Sequence, residues 1–147
     1  TTNDATLEIT GVQLEVGSVA SAFEHRLYHD ELLRCQRYYY VATLHDNGNV
    51  LAYIGPGVNW SSTDARVDIT LPVKMRGTPS LEKVVGLNYF RYNSHGSNFD
   101  PDDVAAAESH PTRCMIQVTD DFNGTQGSGG WLLMNNYSAK IAFNAEL

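Results

Sequence analysis

At 147 residues with 42% hydrophobic side chains, the chain has the length of one domain and enough apolar material for one core. Its 10 Lys and Arg against 17 Asp and Glu give a net charge of −7, which excludes the clustered cationic surface that nucleic-acid binding requires and disfavours anionic membranes. No run reaches the roughly 18 apolar residues that span a bilayer, so no membrane insertion is expected, and Cys35 and Cys114 are too few for a disulfide framework and are expected as buried free thiols.

In chain order, Leu7, Ile9, Val12, Leu14 and Val16 alternate with polar residues across a break at Thr10-Gly11, which predicts a kinked strand from Thr6 to Val16. Residues 17–28 lack a period and are expected as an extended connector. Asp30 then caps a short helix over 30–38, with Glu31 in its first turn and Arg34 and Arg37 in its last, as the helix dipole favours. Leu32, Cys35 and Tyr39 fall on one face of that helix and need something to pack against.

The remainder has the period of strands. Tyr38–Leu44 and Val50–Ile54 flank Asn47-Gly48, which predicts a type I′ hairpin because both central residues tolerate positive φ. Ala65–Leu71, Glu82–Leu87, Asn88–Tyr92, Cys114–Thr119, Gly130–Met134 and Ala139–Asn144 are the further strands, with Pro72 limiting the first of these. Short strands separated by Gly, Pro, Asn and Ser turns, without interleaved helices, predict an all-β antiparallel β-sandwich or jelly-roll-like domain with a short N-terminal helix. Three segments read as long loops, 55–64, 93–113 and 120–129, the second with a single helical turn at Val104–Glu108.

Several chemistries lack their residues. No Gly-x-Ser-x-Gly nucleophile motif and no phosphate-binding glycine loop occurs, so no catalytic residue is assigned and no cofactor is expected. His25 and His29 stand four apart as weak metal candidates, but they precede the expected cap, and surface or interface histidines explain them better. Asp120-Asp121-Phe122-Asn123-Gly124 lacks the spaced oxygens of a calcium loop. Aromatic rings in polar loops are the better lead, since sugars stack on flat rings while neighbouring polar groups bind their hydroxyls. Asn59 and Trp60 in the first loop, and Tyr92, His95, Phe99 and Asp102 around the second, form the candidate glycan-binding set. The bland alternative has Trp60 and Phe99 anchoring their own loops, and Trp131, heading a strand, is expected in the core.

The words ITGVQLEVG (Ile9–Gly17), FEHR (Phe23–Arg26), ELLRCQRYY (Glu31–Tyr39), LPVKMRGTPSL (Leu71–Leu81) and FNAEL (Phe143–Leu147) resemble, in this order, a C-terminal module of bacteriophage tail fibres and related virion structural proteins. The chain departs from that pattern at Ala22, where a proline-containing turn is usual, and over 94–130, which matches none of its motifs. The resemblance implies residues 1–28 as a strand and connector to an upstream fibre shaft, and 29–147 as a receptor-binding tip. It implies a virion protein made in a bacterial cytoplasm, a homotrimer, and non-cleaving recognition of a host cell-surface glycan. Leu32, Cys35, Tyr38 and Tyr39 are the candidate trimer interface, though the same residues suit packing within one chain. A purely structural connector and a glycan-degrading enzyme, the latter using carboxylates such as Asp102 and Asp121, are the alternatives.

Overall fold

The computed structural model describes residues 9, 12–19, 21–42 and 52–146. Among these, one helix, α1 (Tyr28–Gln36), precedes β1 (Tyr39–Val41), β2 (Ala52–Asn59), β3 (Ala65–Thr70), β4 (Ser80–Val84), β5 (Phe90–Ser94), β6 (Ser97–Phe99), β7 (Ala105–His110), β8 (Arg113–Val118), β9 (Gly129–Met134) and β10 (Lys140–Asn144). The strands form two antiparallel sheets, β1-β10-β4 and β6-β5-β9-β2-β3-β8-β7. The all-β, sandwich-like fold expected from the strand pattern is the fold observed.

Alternation places the core. Val67 lies opposite Ile116 and Ile69 opposite Cys114, and all four are buried. Phe90 opposite Met134 and Tyr92 opposite Leu132 continue that layer across β5 and β9. Ile141 and Phe143 of β10 close it from the three-stranded sheet, with Tyr40 and Leu81 packed beside Phe143's strand neighbours. Directly opposed side chains share a face, so each such pair is one unit of core. On the outer face of the small sheet, the Glu82 carboxylate accepts hydrogen bonds from Asn144 Nδ2 at 2.6 Å and the Tyr39 hydroxyl at 2.9 Å. These bonds, with Lys140 nearby, hold Glu82 below the usual carboxylate range.

Several expectations are corrected. Among the described residues, the segments flanking Asn47-Gly48 lie in different sheets: β1 pairs with β10, while β2 pairs with β3 and β9. The turn itself lies outside the described residues, as do 6–8, 10 and 11 of the expected strand over 6–16, of which 9 and 12–16 join no ladder. A type I′ geometry does occur, at His95-Gly96, where φ values of 49° and 77° link β5 to β6. That hairpin and β7 fall inside the segment expected to be one long loop. The alanine run at 105–107 was expected as a helical turn, but pairing with β8 outweighs the helix preference of alanine, and a register shift between Ala106 and Glu108 absorbs the misfit. The first half of the loop expected over 55–64 belongs to β2, and 60–64 form the connection to β3. The segment 120–129 remains a connection.

The helix begins two residues early, at Tyr28, after Leu27 with no side-chain cap, so Asp30 sits inside the first turn. It buries none of its residues, and Tyr39 belongs to β1, which breaks the expected stripe. Cys114 is buried as expected, and burial raises its thiol pKa, but Cys35 is exposed.

One packing detail governs the centre of the large sheet. Gly57 and Gly130 lie directly opposite each other on β2 and β9, and the Tyr92 phenol rests where their side chains would be: a Cβ on Gly130 would sit 2.6 Å from its hydroxyl. That hydroxyl is fully enclosed, has no protein hydrogen-bond partner among the described residues, and burial pushes its pKa up to about 12. Removing an unsatisfied buried hydroxyl while keeping the ring relieves its desolvation, so Tyr92→Phe is expected to stabilise by about 1 kcal/mol. Chemical denaturation measures this, and a loss of stability instead would show that the hydroxyl is hydrogen-bonded.

Candidate functional site

The residues singled out in the sequence separate on folding. Asn59 and Tyr92 are buried, so neither contacts a ligand directly, and both are corrected from surface to core. Asn59 ends β2 and works as a lock: its Nδ2 donates to Ser94 Oγ at 3.0 Å and to the Thr125 carbonyl at 2.9 Å. A strand-terminal amide with no room to reach solvent serves the closure of the 120–129 segment better than recognition. Phe99 is half-buried and packs edge-on against Phe122, with ring centroids 4.9 Å apart, as a loop anchor does.

Trp60 and His95 remain at the surface. They follow Asn59 and Ser94 respectively, whose side chains are bonded together, so both stand at the same end of the large sheet. Trp60 is 66% exposed, yet its backbone is fixed, because its carbonyl accepts from Gln126 Nε2 and Ser61 N bonds the Asp64 carbonyl. Asp102 is elsewhere: its Oδ1 accepts from the amide of Asn88, just before β5, while His95 follows the other end of that strand.

Asp102 instead joins Asp120 and Asp121, and their carboxylate oxygens lie within 4.8 Å of one another. This is the one such group of potential metal-ligating side chains among the described residues, and it does not include His25 or His29. Asp120 Oδ2 accepts from the Asp102 amide at 2.9 Å, so two of the three carboxylates are tied to backbone. The hydrogen bonds of Asp102 and Asp120 tie the residues before β5, those after β6 and the 120–129 segment together.

The sequence reading missed the outer face of the seven-stranded sheet. Leu132 and Met134 point into the core, so Trp131 between them and the turn points out, and it is 48% exposed rather than buried. Opposite Trp131 stand Asn93 on β5 and Pro56 on β2, and Asn98 on β6 lies opposite Asn93. Opposed positions share a face, so this is one row: amide, amide, indole, pyrrolidine. Val58 and Tyr53, also on β2 and exposed, extend its apolar part. Asn93 Oδ1 is enclosed without a protein partner, next in register to the indole. The neighbouring Arg91 is held by Asp100 through two hydrogen bonds of 2.6 and 3.0 Å, which raises the guanidinium pKa and fixes the row's edge. GGWLLM carries no alternation that would reveal this face, since Leu132, Leu133 and Met134 are buried in succession.

No protein family, curated protein or solved structure matches this chain.

Proposed function

We propose that this domain is the receptor-binding tip of a bacteriophage tail fibre, an adhesin that holds a host cell-surface polysaccharide or lipopolysaccharide without cleaving it. The observation that carries this reading is the Trp131 row. A half-exposed indole on a rigid sheet offers a flat face for sugar C–H groups, and the exposed Asn98 amide in the same row offers a donor and an acceptor for hydroxyls. Trp60 and His95, at the end of the same sheet, supply a second aromatic and polar pair. The motif resemblance supports the setting, with the module at the end of a fibre shaft, in a homotrimer whose three weak sites sum by avidity.

The test is a glycan array with the purified domain, followed by titration of the best binder. Trp131→Ala is expected to weaken binding at least about 10-fold, as loss of a central aromatic anchor does, with little change in unfolding temperature because the ring is half-exposed. Normal binding by Trp131→Ala rejects this face. Release of reducing ends from the glycan would favour the enzymatic alternative, with Asp102 and Asp121 as the first residues to substitute. A purely structural connector is the second reading, favoured by the exposed apolar side chains Val12, Leu14, Val16 and Val19 of the N-terminal segment, and it expects no saturable glycan binding at all. Deleting 94–110 does not discriminate these, because the segment contains β6 and β7 and its loss strips both edges from the sheet.

A further inference from the structure

The arm from 12 to 28 is inside out. Gln13 and Glu15 turn back onto their own chain: Gln13 Oε1 accepts from the Glu24 amide at 2.9 Å, its Nε2 donates to Ser21 Oγ at 3.1 Å, and Glu15 accepts from both the amide and the hydroxyl of Ser21. In an extended segment alternate residues face opposite ways, so binding 13 and 15 inward turns 12, 14 and 16 outward. Val12, Leu14 and Val16 are accordingly 75%, 99% and 109% exposed, and Val19, Leu27 and Tyr28 are exposed beyond them. The arm's charges are also satisfied at home, since Arg26 bridges Glu24 at 2.7 Å and Glu31 at 3.2 Å. A cleft of 570 Å³ between the arm and α1, with Val12, Leu14 and Phe23 in its lining, stands open.

We infer that residues 12–28 form a self-association arm, its apolar face covered by the same segment of a second copy of this chain. Three features select that occupant. The arm's charges are engaged within the chain, Arg26 by Glu24 and Glu31 and the Glu15 carboxylate by hydrogen bonds from Ser21, so they are not held out for a charged partner. With Glu15, Glu24 and Arg26 the arm carries −1 of the chain's −7, so like arms meet without the repulsion that the acidic body would bring. The area fits as well. A large apolar side chain removes roughly 60–120 Å² from water, so these six offer on the order of 500 Å². That equals the apolar share, about 65%, of the roughly 800 Å² each partner gives to a standard interface. The inference is independent of the glycan reading, and it moves the expected contact between copies from the helix stripe at Leu32 and Cys35 to the arm before it.

The experiment is sedimentation equilibrium of the complete 147-residue chain from micromolar to 100 micromolar, beside a variant carrying Val12→Ser, Leu14→Ser and Val16→Ser. The native chain is expected to be oligomeric and the variant's dissociation constant to rise at least about 100-fold, with its unfolding temperature as a monomer unchanged, because these side chains are exposed within their own chain. A Leu14→Cys variant in a Cys35→Ser background is expected to form a disulfide between copies under mild oxidation. A native chain that stays monomeric at 100 micromolar overturns the inference, as does an oligomer whose mass and affinity the triple variant leaves intact. Binding of one glycan ligand per chain, measured on the same variant, is expected to persist, so failure of the arm and failure of the Trp131 face are read separately.

Discussion

Gly130→Ala is expected to destabilise the domain by about 3 kcal/mol, the upper range for forcing extra volume into a packed core. The added Cβ would stand 2.5 Å from the Asn93 carbonyl oxygen and 2.6 Å from Tyr92 Cζ. Neither neighbour gives way easily. The carbonyl belongs to the adjacent strand β5, so moving it opens the ladder, and the ring is fully buried between sheets. Gly129, the preceding residue of β9, is the internal control: nothing lies within 4 Å of a Cβ placed there, and Gly129→Ala is expected to change stability by no more than about 0.5 kcal/mol. Urea denaturation of both variants decides the matter. Equal stabilities would mean that the Tyr92 ring does not rest on the glycine pair.

Phe143→Ala is expected to have a larger effect, about 3–5 kcal/mol, because it removes a full aromatic ring from a closed site and leaves a cavity. Phe143 is 1% exposed, stands on the central strand of the small sheet between Tyr40 and Leu81, and faces the core that both sheets share. Against a total stability of about 5–15 kcal/mol, such a loss leaves a marginal fold. The thermal midpoint should fall by roughly 10 °C or more, a shift that calorimetry resolves readily. A change under about 1 kcal/mol would show that the small sheet contributes little to the common core.

The fold was legible where alternation was strict. Val67, Ile69 and Leu71 announce β3 on their own, and Ile141 and Phe143 announce β10. It was illegible where pairing partners decide. Nothing in Ala105–Ala107 favours a strand until β8 lies beside it, and Asn47-Gly48 is a hairpin signal whose flanking strands belong to different sheets. The candidate site was half legible for a related reason. An aromatic in a polar loop is visible in one dimension, which found Trp60, but the side of a sheet on which an aromatic lands depends on which neighbours are buried. In one dimension Trp131 therefore reads as core, and Tyr92 and Asn59 as surface. Gly57 and Gly130 show the same limit, since their role rests on a ring contributed by a third strand.

The order β1-β10-β4 also has a temporal meaning. β1 and β4 do not pair with each other; both hydrogen-bond to β10, which lies about 100 positions downstream of β1 and about 60 downstream of β4. On a translating ribosome the small sheet has no centre until β10 has left the exit tunnel, so β1 and β4 wait without their partner while the intervening residues are made. Such long-range closure is slow, and the waiting strands are targets for chaperones and for misassociation between neighbouring nascent chains. A chain that stops before Lys140 lacks Ile141 and Phe143, so its core stays open on the side of the small sheet.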